Sequence, residues 1–472
     1  MRTVDPQVSF ADLEFIRQGV HLEPTLKVIA EFVDTHARMV DGVRRDLARG
    51  LTFPTMGRQG LTPPQVLRSL ILMRVKNWDY RELRERIADG YTLRHFTQFH
   101  SRPVPKHDAF NRAFNRLTPK TLRAVNAVII QAAVDLGLEE GTKLRVDTTV
   151  VETNVHHPTD SRLLWDAVRV LTRLVRQLTK LVPTRVGPFP NRTRCAKRRM
   201  HEIERLTIKE RPRHQRRKYR ALITVADDVI AGARRVSQRT AGRLPVDLIT
   251  GATIDALRHE IARYCGLADR VVSQARRRVL HGEQVPTDEK LYSIFETHTD
   301  LIKRGKVLKP VEFGHKVFLA ESGRGLITQY EVLRGNPADQ LHVTRSLARH
   351  AETFHHAPDL YSADRGFFNE GNLATCHAAG VKLTCIPQAG GQRTADRRAF
   401  ERSRAFKQGQ RFRAGIEGRI SVLFRGRGMK RALTQGREHF EMLVGAAVIT
   451  NNLLVIANLL QRQPTCRPRA AA

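Results

Sequence analysis

The sequence predicts an α/β (α+β) chain: a mixed sheet with flanking helices, interrupted by a helical insertion and preceded by a helical N-terminal domain. Two observations carry this. Apolar residues recur at helical spacing up to about residue 120 and again from about 160 to 281, whereas after residue 305 they alternate or run at strand length. One β-branched run, "KLRVDTTVVETN", stands apart from those later strands, ahead of the second helical stretch. At 472 residues, 41% of them hydrophobic, the chain is long enough for two or three cores. We expect residues 1–140 as the N-terminal domain, 141–155 and 310–462 as the sheet domain, 156–309 as the insertion and 463–472 as a disordered tail.

In "TPPQVLRSLILMRVKNWDYRELRERIADG", Val66, Leu70 and Met73, then Leu83 and Ile87, mark two helices. Pro63 and Pro64 suit a helix start, and Asp79 can cap the second helix, whose early turn holds Glu82. With Arg68, Arg74, Arg81, Arg84 and Arg86 around it, the pair reads either as a helix-turn-helix that meets DNA or as an ordinary basic helical pair. After the first strand comes "SRLLWDAVRVLTRLVRQLTKLV". Leu164, Val168, Leu171, Val175, Leu178 and Val182 form one stripe there, with Arg169, Arg173, Arg176 and Lys180 off it. Trp165 reads as core at that spacing, the alternative being an aromatic that stacks on a flipped base. Pro183, Pro188 and Pro190 end the helix.

Beyond residue 305, "GHKVFLAE" and "GLITQYEVL", joined by "SGRG", predict a hairpin. "PADQLHVTRSLARHAETF" follows as a helix with Asp339 as a candidate cap, then "DLYSADRGF" as a strand stopping at a turn. A helix ended by Gly380 and the strand "VKLTCIP" complete the sheet. The run "VGAAVITNNLLVIANLL" is broken by Asn451, Asn452 and Asn458 and reads as a buried helix rather than a membrane span.

Lysine and arginine outnumber aspartate and glutamate by 81 to 47, a formal charge of +34. A surplus of that sign seeks a polyanion, nucleic acid first. It is concentrated between His156 and Arg220, where 19 lysines and arginines face 5 acids. Arg198, Arg199, Arg216, Arg217 and Lys218 lie in that stretch and, with Arg81, Arg84 and Arg419, are candidates to neutralise phosphate. Five scattered cysteines without a CxxC pair argue against a disulfide framework or zinc ribbon, and "MRTVDPQVSFADLEF" lacks the pattern of a signal peptide. Both point to the cytoplasm. The adjacent pairs His156–His157 and His355–His356 would point to opposite faces of a strand and do not suggest a metal site.

Against this basic background Asp147 interrupts an apolar strand, Asp364 follows the end of a later one, and Glu417 lies in a helix. A carboxylate in such a run is costly to bury without a positive partner. Three acids brought together are tolerable where divalent ions fill the gap, and oxygen ligands favour Mg²⁺ or Mn²⁺. Two such ions can activate an attacking oxygen and stabilise a leaving one at a phosphodiester. The residues alone leave open that Asp147 caps a turn or pairs with an arginine, and that Glu417 is plain surface.

Five blocks in order, "GRQGLTPPQVLRSLILMRVKNWDYRELRERIADG", "VDTTVVETNVHHPTDSRLLWDAVRVL", "GHKVFLAESGRGLITQYEVLRGNPAD", "YSADRGFFNEGNL" and "AGIEGRISVLFRGRG", resemble bacterial insertion-sequence transposases of the DDE class, most closely the ISNCY group. The resemblance implies an RNase H-like domain with Asp147 on its first strand, Asp364 at its fourth and Glu417 on a following helix. It also implies two Mg²⁺ (or Mn²⁺) ions held by these acids, binding of the element's terminal inverted repeats, strand cleavage and transfer to target DNA, and a dimer or larger assembly on paired ends. Arg413 matches the arginine four residues before the glutamate in related enzymes. Phe424 stands where they often carry a DNA-contacting lysine, with Arg425 beside it, and Gln410 where they often carry an aromatic. Two rivals share these residues: a metal-dependent nuclease on the same fold, and a decayed transposase that binds DNA without cutting it.

Overall fold

The computed structural model describes residues 17, 22–52, 60–242, 246–303 and 311–462, so the tail expected at 463–472 lies outside the described residues. The chain forms two compact units, one of Met1–Glu152 with His315–Ala472 and the other of Thr153–Gly314.

Seven strands, β1 (Lys143–Thr153), β2 (Asp300–Lys303), β3 (Val311–Ser322), β4 (Ile327–Val332), β5 (Leu360–Ser362), β6 (Leu383–Cys385) and β7 (Arg431–Ala432), make one mixed sheet. The path runs β2–β3–β1–β5–β6, with β4 paired to β3 and β7 to β1. β3 and β4 are antiparallel, while β1, β5 and β6 are mutually parallel neighbours. Without the short β2 and β7 the order is β4–β3–β1–β5–β6, an RNase H-like arrangement in which β1 is the first strand and β5 the fourth.

β1 is buried along most of its length because both faces of the sheet are covered. On one side Val151, Val317, Leu319 and Ile327 pack against Ile416 and Leu423 of helix Arg404–Gly426 and Phe440 and Val444 of helix Arg437–Arg462. On the other, Leu144, Val146, Phe318 and Tyr361 pack against Leu347 and Cys376 of helices Val343–Phe354 and Glu370–Ala378. The stretch expected as one continuous helix is split, with Asp339–His342 a separate 3-10 turn on which Leu341 is exposed.

The helices before β1 share one core with helix Arg437–Arg462, through residues such as Leu26, Ile71, Ile129, Ile449 and Ile456. Helix Pro63–Lys76 opens with a capping box in which Thr62 and Gln65 exchange backbone and side-chain hydrogen bonds. Asp79 caps helix Tyr80–Asp89 by accepting from the backbone N–H groups of Arg81 and Glu82. Two of the surrounding arginines are not surface groups. Arg68 is buried, donating to the carbonyls of Ala30 and Phe96 and to Asp34, and burial lowers the pKa of Arg74. Arg81 remains exposed and Arg84 half-buried.

Helix Arg437–Arg462 is long and apolar enough to cross a membrane, yet 72% of its most apolar window is buried inside the structure. The asparagines that interrupt it explain its place. Asn452 accepts from the N–H of Ile327 on β4 and donates to that residue's carbonyl and to Asn126. Asn458 is exposed.

The other unit is a helical bundle with its own core, built from Asp160–Leu181, Thr193–Glu204, Arg211–Arg239 and Leu248–Ala275. The stripe read from Leu164 to Val182 is buried throughout. Thr159 caps the first of these helices and Pro183 follows its end.

Candidate active site

Three elements of the first unit bring the sequence-derived acids together. β1 presents Asp147, which is 8% exposed and accepts the N–H of Thr148 at 2.7 Å. β5 stops at Ser362, and Asp364, just beyond it, accepts the N–H of Gly366 to cap the 3-10 turn Arg365–Phe367. Helix Arg404–Gly426 supplies Arg413 and, one turn on, Glu417. The Arg413 guanidinium lies 3.3 Å from Asp147 and 3.8 Å from Asp364 through one nitrogen, and 2.8 Å from Glu417 through the other. Its buried Nε has no hydrogen-bond partner.

Burial pushes the Asp147 carboxyl up to about 6; Arg413 pulls the other way, and the neighbouring charges of Asp364 and Asp339 add to the rise. Desolvation wins over a single guanidinium. Asp339, expected as a helix cap, instead belongs to this cluster. Its carboxylate accepts from the Thr148 hydroxyl at 2.9 Å and pairs with Lys316 of β3 at 2.7 Å, while Ala338 occupies the cap position without a side-chain bond. Gly366 lies between two of the acids: a Cβ there would come within 3.0 Å of Asp364 Oδ1 and 3.1 Å of Asp339 Oδ2. Gly366→Ala is therefore expected to displace a carboxylate with little change in thermal melting. A melt and a structure of the variant beside wild type check this.

The helix that carries Arg413 and Glu417 is fixed to the sheet at close quarters. Gly409 lets it approach Cys385 of β6, where a Cβ would meet the sulfur at 2.3 Å, and Gly415 leaves room for Arg145 of β1. Ser362 donates to the Gly409 carbonyl, and Gln410 donates to the carbonyls of Ala363 and Cys385. Gln410 thus ties the ends of β5 and β6. Beneath this lies Glu321, with no exposed side-chain surface, paired at 2.8 Å to both Arg145 and Arg419. Arg145 also donates to the Phe412 carbonyl and stacks over the Phe412 ring.

The DNA-contact candidates divide accordingly. Arg413 is with the acids, whereas Arg419 is committed to Glu321 and Asn451. Arg425 is exposed and bonded to Ser421, and Phe424 packs partly buried against the sheet core. In the helical unit Arg216 and Arg217 are exposed, while Arg198, Arg199 and Lys218 all lie near Glu202.

The donor set is entirely carboxylate oxygen, gathered about one positive charge, which suits a hard divalent cation. Among the described residues no three His, Cys, Asp or Glu side chains converge at metal-ligand spacing. Arg413 stands among the acids, and the Glu417 side chain is 65% exposed. By donor type Asp147 and Asp364 could hold such an ion, but as placed the three acids are joined through Arg413 and not into one ligand set.

A family model described as Transposase domain (DUF772) matches residues 17–116. Residues 17–116 are thus similar to a transposase domain. This domain spans the helices from Pro24 to Phe114, including the capped pair with Arg81 and Arg84. It agrees with the resemblance to insertion-sequence transposases drawn from the five sequence blocks. No curated protein and no solved structure matches the chain. Sequence reasoning took Asp339 for a helix cap and did not single out Lys316, yet both belong to this cluster. The available signal was one charged residue in each of two otherwise uncharged stretches, "GNPAD" and "GHKVFLA".

Proposed function

We propose that the protein is a DDE-type transposase that binds the ends of its own insertion sequence and carries out metal-dependent strand cleavage and strand transfer. The observation that supports this best is the convergence of Asp147, Asp364 and Glu417 on Arg413 from a first strand, a fourth strand and a following helix. In this reading Asp147 and Asp364 would hold two Mg²⁺ or Mn²⁺ ions, with Glu417, turned from Arg413, completing the set. Bound metal supplies activation of the attacking oxygen and stabilisation of the leaving one. Asp339 and Lys316 fix Thr148 next to Asp147, and Arg413, released from Glu417, holds phosphate. Arg81, Arg84, Arg216, Arg217 and Arg425 offer exposed or half-buried charge to duplex backbone. The partners are the terminal inverted repeats and target DNA, the working form is a dimer or larger assembly on paired ends, and the setting is the cytoplasm.

The test is an assay of cleavage and joining on DNA carrying the element's own flanking ends, with and without Mg²⁺. Joined products that need metal and disappear in Asp364→Asn support the transposase. Cleaved ends that are never joined indicate a nuclease on the same fold. The decayed, DNA-binding reading is favoured by one feature, the ion pairing of all three acids to Arg413 instead of to one another's ligand sphere. It requires salt-sensitive DNA binding with no metal-dependent product.

A further inference from the structure

The helical unit contains a cavity of about 1000 Å³ walled by Trp165, Phe189 and a set of cations, among them Arg173, Arg176, Lys180 and Arg194. No acid lines it. Trp165 sits on the helix whose other apolar residues form the bundle core, yet it is only half-buried and faces the cavity. Arg169 stacks over its ring at 4.9 Å and is anchored by Asp166 at 2.7 Å. Lys197 lies over the ring at 5.9 Å, exposed, with no carboxylate in ion-pair range among the described residues. Arg173, Arg176, Lys180 and Arg194 are likewise exposed and, among the described residues, without an acidic partner.

Unpaired cations repel one another, and a solvated face would not need to close them around an indole. Together an aromatic face and a ring of cations match a nucleotide, whose base has a π-surface and whose phosphates are anionic. Inside a duplex the bases are stacked and cannot reach a recessed ring, so the ligand must be unpaired. We propose that this cavity takes an unpaired nucleotide of a DNA strand, the base against Trp165 and the flanking phosphates on Arg173, Arg176, Lys180 and Arg194. Lys197 moves off the ring to admit it. This rests on the reading of the protein as a DNA-processing enzyme and adds which form of the strand the helical unit holds.

Fluorescence anisotropy on the full chain tests it, with labelled oligothymidylate and labelled duplex as separate probes. Trp165→Ala is expected to weaken oligothymidylate binding by on the order of tenfold while duplex affinity stays within about twofold, and Trp165→Phe to restore most of the loss. Arg173→Ala with Arg176→Ala, both at exposed positions, keeps the test open if Trp165→Ala does not fold. This pair is expected to weaken the single strand and flatten its salt dependence by roughly 0.7 per lost phosphate contact. Unchanged oligothymidylate affinity in both variants, or equal losses for strand and duplex, overturns the proposal. Competition by thymidine monophosphate as strong as by the oligomer overturns the strand assignment in favour of a free nucleotide. If the wild-type protein binds neither probe, the DNA reading itself fails. If it binds duplex but the strand ignores Trp165, only the cavity assignment fails.

Discussion

Asp147→Asn is expected to abolish strand cleavage and, in metal-free protein near neutral pH, to stabilise the fold. The Asp147 carboxyl is raised from 3.8 to about 6, chiefly by burial. At about 1.4 kcal/mol per pKa unit, the ionised form costs the folded state about 3 kcal/mol that asparagine does not incur. The folded pKa exceeds the unfolded one, so between about 4 and 6 the native state holds a proton that the unfolded chain has lost. Wild-type stability attributable to this group therefore improves as pH falls through 6. The advantage of the asparagine variant shrinks over the same window and vanishes below about pH 4. Denaturation at pH 7.5 and at pH 4 measures it. Cleavage should drop by three or more powers of ten, the order set by losing several kcal/mol of metal-based stabilisation. A variant less stable than wild type at neutral pH, with cleavage intact, would show that Asp147 is a structural ion-pair partner of Arg413 and not a metal ligand.

Glu321→Ala should have the largest effect on stability. Its carboxylate is fully buried and is the shared partner of Arg145 and Arg419. Removing it leaves two guanidinium groups facing each other in the interior, at a cost of about 3–5 kcal/mol. Both arginines bear on the helix that carries Arg413 and Glu417, since Arg145 also holds the Phe412 carbonyl and Arg419 belongs to that helix. The variant should lose cleavage together with stability, whereas Glu321→Gln, which keeps an acceptor for one arginine, should lose less of each. Equal stability of the alanine variant and wild type in urea would contradict this. The contrast with Asp147 is informative: one buried carboxylate has two close cations and holds the fold, the other is undercompensated and strains it.

Much of the architecture is legible in the chain because it follows from local rules. Thr62, Asp79 and Thr159 sit at helix starts, Gly380 ends a helix in a positive-φ turn, and the Leu164–Val182 stripe is buried as its period requires. The three acids were singled out by resemblance, and in the structure each of them pairs with Arg413. Burial state was not legible. Arg68, Arg74 and Arg419 look like the surface arginines around them, and Arg68 and Arg419 differ from those only in what lies across the core. Trp165 packs against the bundle core as its spacing predicts but only in part, since a helical period does not say where a neighbouring helix fails to cover a side chain.

By itself the sequence determined the order and type of most elements and the basic charge, because periodicity, capping and composition act over a few residues, while the three acids were singled out by resemblance. Only the tertiary structure decided that one guanidinium joins the three acids, that Asp339 and Lys316 stand beside Asp147, and that Glu321 anchors the helix between them. Those relations depend on desolvation and on distances between residues up to hundreds apart in the chain, which no local pattern encodes.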